Sequence, residues 1–190
     1  YFMRVLIRSI KNHEIKLGEP WKLPGASGFL IPLISETAKS ERNYILLQEA
    51  EDQVQFRDSG GISGVDALNR SGKNVYIRKG TMLKGTGTQS RAPVSSYVLT
   101  TDPHYVRIPV NCIHQSHGIS KGSVFKAQGV APMEVYSSLG EQSRTWASIS
   151  NYSRKVETRT PGLHSGPVRY DDLLAVESKI ETDADVVADA

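Results

Sequence analysis

Short apolar runs separated by turn signals dominate the first 130 residues, and their spacing suits strands. The pattern predicts strands at Met3–Ile10, Ile15–Leu17 and Gly28–Ile34, with Gly18-Glu19-Pro20 as a stop between the last two. Pro32 cannot donate to a ladder, so that third strand belongs on an edge or at a bulge. Leu46–Ala50 reads as a short helix of good formers, capped from the polar stretch Ser40–Asn43. Val54-Gln55-Phe56 alternates and Asp58-Ser59-Gly60-Gly61 turns. Val65–Leu68, Val75–Ile77, Thr81–Leu83, Val94–Thr100 and Tyr105–Ile113 continue the strand series.

The period then changes. Leu139, Trp146, Ile149, Tyr152 and Val156 recur at helical steps and share one helix face, with Pro161-Gly162 as the stop. A second helix begins near Tyr170-Asp171-Asp172, where acids suit an N-terminus, and Leu173, Leu174, Val176 and Ile180 form its stripe. The fold class expected is therefore α+β: a mainly antiparallel β-sandwich or barrel-like sheet system packed by two C-terminal helices. With 190 residues, one domain over 1–180 is the default, followed by an acidic, fraying tail at 181–190.

Charge adds an asymmetry to this picture. From Asp171 to Ala190 seven acids face Lys179, a net −6, so with +3 overall the first 170 residues carry +9. Such a body attracts anions, and it is equally the charge of a solvated surface partly covered by an acidic tail. Aromatic residues are only 7% and are not interleaved with the basic ones, which argues against a single-stranded nucleic-acid groove. The single cysteine, Cys112, excludes an internal disulfide. No run approaches 18 apolar residues and the N-terminus lacks a signal-peptide layout, so a cytoplasmic protein without a membrane partner is expected. There is no initiator methionine at position 1.

Two stretches could carry chemistry. Lys79–Arg91 packs three glycines after Lys79, together with lysines, hydroxyls and Arg91, between two strands. Exposed N–H groups in such turns hold anions, Lys84 and Arg91 could neutralise a phosphate, and Arg91 could do so in bidentate fashion. The spacing is not that of a P-loop, and a bulged hairpin with a polar tip explains the same residues. In the second stretch, Asn111–His117, Cys112 and His114 would share a strand face and His117 could complete three zinc ligands. No second cluster completes a structural site, so no metal is assigned and no cofactor is named. A Cys–His nucleophilic pair is opposed by the strand context, which fits a small buried thiol. Trp21 and Trp146 read as packing residues, and His13, His104 and His164 as surface or turn residues.

The order of these pieces resembles the ARG and Rhodanese-Phosphatase-superfamily-associated domain, a group of largely uncharacterised prokaryotic proteins. The resemblance rests on Leu17-Gly18-Glu19-Pro20 leading to Leu30-Ile31-Pro32-Leu33, on Tyr44–Ala50, and on Asp58–Ser63. It rests also on Gly80-Thr81-Met82-Leu83-Lys84-Gly85 with Gln89-Ser90-Arg91, on Pro109–Ile113, and on Gln142–Trp146. It spans roughly residues 15–180. Where the family usually carries an acid after its Cys-Val pair, this chain has His114. The family's association with ADP-ribosylglycohydrolases and phosphatases implies a phosphorylated, nucleotide-like or ADP-ribose-like ligand. Lys84, Gln89, Arg91, His114 and His117 are the contacts expected. A hydrolase acting on a nucleotide or ADP-ribosyl bond, with His114 as acid or base, and a structural or homo-oligomeric interaction protein are the alternatives.

Overall fold

The computed structural model describes residues 2–22, 29–35, 42–159, 171–178 and 180. Packing divides the chain into two compact units, Tyr1–Arg42 and Asn43–Ala190.

The first unit opens with a helix, α1 (Phe2–Lys11), where the sequence pattern predicts a strand. Leu6, Ser9 and Ile10 are less exposed than Arg4, Ile7 and Arg8, a three-to-four-residue period that alternation could not produce. Arg8 and Lys11 occupy the last turn, where cations suit the helix dipole. Four two-residue strands follow: β1 (Lys16–Leu17), β2 (Trp21–Lys22), β3 (Phe29–Leu30) and β4 (Leu33–Ile34). They form two antiparallel ribbons, β1 with β4 and β2 with β3. The expected strand across Pro32 is thus split at Ile31-Pro32, and the Pro32 carbonyl accepts a hydrogen bond from Gly18 N–H at 2.8 Å. Trp21 lies exposed on β2 rather than packed.

The second unit contains β5 (Tyr44–Leu46), a 3-10 turn (Glu51–Gln53), β6 (Val54–Asp58), β7 (Gly64–Asn69), β8 (Asn74–Ile77), β9 (Thr81–Gly85), β10 (Arg91–Pro93), β11 (Tyr97–Leu99), β12 (Val106–Cys112) and β13 (Val124–Val130). Two helices, α2 (Met133–Ser138) and α3 (Gln142–Arg159), and the helical residues 173–178 complete it. Six strands close into a barrel in the order β10-β12-β7-β6-β13-β9, every pairing antiparallel. The fold is α+β and barrel-like, as the strand spacing suggests. A three-stranded sheet, β11-β8-β5, adds its Val75, Ile77 and Leu99 to the barrel's apolar cluster.

Alternation decides what enters the barrel. Along β6, Val54, Phe56 and Asp58 are buried while Gln55 and Arg57 are exposed. Val65, Leu83, Ile108, Val110 and Phe125 complete the interior. Met82, Ala92 and Ile113 belong to a second cluster with Val135, Leu139, Ile149 and Leu173, against which Trp146 and Tyr152 pack. The C-terminal helices thus cover this separate apolar face.

Several local expectations change. Residues 44–50 are a strand and a turn rather than a helix: β5 pairs in parallel with β8, and Leu46 N–H donates to the Glu49 carboxylate at 2.6 Å. Part of the cap expected there, Ser40, lies outside the described residues. Leu139 ends α2 instead of starting α3, because the chain turns at Gly140, whose N–H donates to Asn111 Oδ1 at 2.7 Å. Residues 94–100 divide, leaving only Tyr97–Leu99 as strand. The expected helix stop at Pro161-Gly162, Tyr170 and the acidic tail at 181–190 lie outside the described residues. Among the described residues, no helix is long and apolar enough to cross a membrane.

Candidate functional site

The β9–β10 hairpin and the segment after β12 meet because β10 pairs with both strands. Arg91 is opposite Leu83 on one side and Cys112 on the other. Gly85 makes the turn possible: a Cβ there would stand 2.3 Å from the Thr88 carbonyl oxygen, so any larger residue must displace the backbone.

The tips of these segments line an open cavity of about 320 Å³. Lys84, Thr88 and Ser90 come from the hairpin, His114 and His117 from the segment after β12, and Asp172 from the start of the C-terminal helical residues. The two imidazoles stack, with ring centroids 5.2 Å apart and 20° between planes. His114 Nδ1 lies 3.6 Å from Asp172 Oδ2, both side chains being largely buried. The other oxygen of Asp172 accepts N–H bonds from Leu174 at 3.1 Å and Ala175 at 3.4 Å. One carboxylate therefore caps the helical residues and flanks the imidazole. The segment is also tied by Gln115 N–H to the Asp171 carbonyl and Leu173 N–H to the Ile113 carbonyl.

Of the five contacts expected from sequence, Lys84, His114 and His117 line this cavity. Gln89 and Arg91 do not. Arg91 follows the inward face at one end of the barrel, is fully buried, and donates from Nη1 to Gln89 Oε1 at 3.0 Å. Gln89 in turn donates to the Gln115 carbonyl at 3.3 Å. The partner that sequence reading missed is Asp58, read there as part of a turn. Its Oδ2 lies 3.8 Å from Arg91 Nη2, with both side chains at 0% exposure. The same carboxylate accepts the Thr88 hydroxyl and, at 2.7 Å, Gly60 N–H. Thr88 Oγ1 accepts Ser120 N–H at 3.0 Å. The buried pair thereby holds the hairpin that presents Lys84. Its only sequence signal was the period-2 extension of Val54 and Phe56 to Asp58.

Cys112 ends β12, so it and His114 do not share a strand face. Its thiol is buried and donates to the His114 carbonyl at 3.0 Å. Gln142 clamps the Cys112 backbone, accepting its N–H and donating to its carbonyl, each at 2.8 Å. Burial pushes the thiol pKa above its ordinary value, so the reactive thiolate is disfavoured. A thiol reagent at pH 8 is expected to leave the folded chain unmodified over a time in which the urea-unfolded chain reacts fully. Equal rates in the two states would contradict this burial. Among the described residues, no group of three or more His, Cys, Asp or Glu side chains could hold a metal ion.

Residues 14–185 match a family model, that of the ARG and Rhodanese-Phosphatase-superfamily-associated Protein domain. No curated protein and no solved structure matches the chain.

Proposed function

The chain belongs to the ARG and Rhodanese-Phosphatase-superfamily-associated Protein domain family, and on that premise we propose that it binds a phosphorylated, nucleotide-like or ADP-ribose-like small molecule in the cavity beside Lys84. The observation that carries this reading is the convergence of Lys84, His114 and His117 with Ser90 on one hollow. The lone acid among the lining residues, Asp172, is engaged by the helical N–H groups and His114. A phosphate there meets the Lys84 ammonium, the Ser90 hydroxyl and two imidazole rings. The volume, about 320 Å³, is at the lower end of ligand pockets. It suits the phosphate-bearing end of a nucleotide, with the base extending over the open side.

Thermal unfolding with ADP-ribose, NAD and AMP tests this. At ligand concentrations about a hundredfold above Kd, stabilisation of about 2.7 kcal/mol is expected. That raises Tm by roughly 5–10 °C for a chain of this size. Lys84→Gln and His117→Gln each reduce the rise. No shift at millimolar ligand sinks the reading.

The Asp172–His114 pair favours a second reading, a hydrolase acting on a nucleotide or ADP-ribosyl bond with His114 as general acid or base. In any assay that detects turnover, His114→Ala retaining full activity excludes this role.

A further inference from the structure

The barrel carries a second cavity, and it arises where the barrel's own seam opens. β13 pairs with β6 through Val124↔Arg57 and Phe125↔Phe56, and the register stops there. Continuing it would set Lys126 opposite Gln55 and Ala127 opposite Val54, but those residues are not paired. β13 instead stays with β9 as far as Ala127 and then shifts register before Val130. Gly129, at φ 61°, sits in that irregularity. A bulge bends and over-twists its strand, which draws this end of β13 away from β6.

The gap is a cavity of about 300 Å³. Leu47, Val54, Phe56 and Phe125, all buried, supply its apolar floor. Gln48, Asp52, Lys126 and Gln128 also line it. Among the described residues, no hydrogen bond or ion pair engages these four side chains. The lining therefore offers one acid, one base and two amides around an aromatic floor. The backbone edges of residues 54–55 and 126–128 that face the seam are not paired with each other.

We propose that this seam is a second binding site, independent of the phosphate reading, and that its ligand is a free α-amino acid with an apolar side chain. The side chain rests on Phe56 and Phe125, the ammonium faces Asp52, and the carboxylate faces Lys126. The charge balance selects this class. One acid and one base make a zwitterion the best-matched polar head, and a ligand with a single charge would leave one of them unanswered. The floor takes one ring or branched alkyl group, and a cavity of this volume at the mouth of a barrel is a common ligand position.

Titration of the ¹⁵N-labelled full chain with L-phenylalanine, phenethylamine, 3-phenylpropanoate and N-acetyl-phenylalanine amide, followed by NMR, tests the assignment. Phenylalanine is expected to shift the amide resonances of Ala127, Gln128 and Gly129 in a saturable manner. It should bind about threefold tighter than either singly charged analogue, the value of one solvent-exposed charge pair. Asp52→Asn should weaken phenylalanine and phenethylamine but not phenylpropanoate, and Lys126→Gln the reverse. Both residues are exposed, so neither change threatens folding. The proposal is overturned if phenylalanine produces no shifts at the seam or if the three small compounds bind alike. It is equally overturned if the blocked amide binds as tightly as the free amino acid, since the seam would then take a peptide segment.

Discussion

Replacing Asp58 by alanine lowers the unfolding free energy by about 3–5 kcal/mol, the cost of leaving a buried charge without its counter-ion. Arg91 is fully buried, and among the described residues its Nε and Nη2 have no hydrogen-bond partner. Its charge is answered by the Asp58 carboxylate at 3.8 Å. The cost exceeds that of an exposed ion pair, about 0–1 kcal/mol, because no water screens the pair. Urea denaturation gives the measurement. The double variant Asp58→Leu, Arg91→Met should recover part of the loss, because the unpaired charge is gone while the Thr88 hydroxyl and Gly60 N–H still lack their acceptor. A loss under about 1 kcal/mol for Asp58→Ala would show that the guanidinium is satisfied in another way. Thr88 loses its acceptor in the same variant, so the ligand-induced rise in Tm should fall as well.

The second large effect is expected at Leu173. It is fully buried in the cluster with Met82, Ile113 and Ile149. Truncation to alanine costs about 2–5 kcal/mol through lost burial and the cavity left behind. Leu173 also stands next to Asp172, so loosening residues 173–178 moves the carboxylate away from His114. Hydrogen exchange should accelerate at 173–178 before it does in β6 or β7. An unfolding free energy within about 0.5 kcal/mol of the unsubstituted chain would place this segment outside the cooperative core.

Individual elements show why some of this was readable in advance. β6, β9 and the apolar face of α3 follow from local periodicity, because burial on one side imposes period 2 or 3.6 on the residues themselves. β13 carries no clear strand signal, because the Gly129 bulge interrupts its alternation and most of its residues are exposed. The residues of α1 suggest a strand because arginines set in a short apolar run look like alternation. Residues 46–50 look helical by propensity, yet Leu46 ends a strand that pairs in parallel with β8 and residues 47–50 turn.

The candidate site divides in the same way. Lys84, His114 and His117 were recognisable as side chains suited to an anion, and the stretches bearing them do line one hollow. Gln89 and Arg91 looked equally suited, but their side chains are spent on the protein's own Asp58 and Gln115 carbonyl. Composition and periodicity determined the α+β class, the strand-rich first part, the helical end and the excess of positive charge, since these are sums over residues or properties of neighbours along the chain. Only tertiary structure decided which cation is buried and which meets solvent. Asp58 and Arg91 are separated by more than thirty positions, and a buried charge takes its partner from whatever the closed barrel brings within reach.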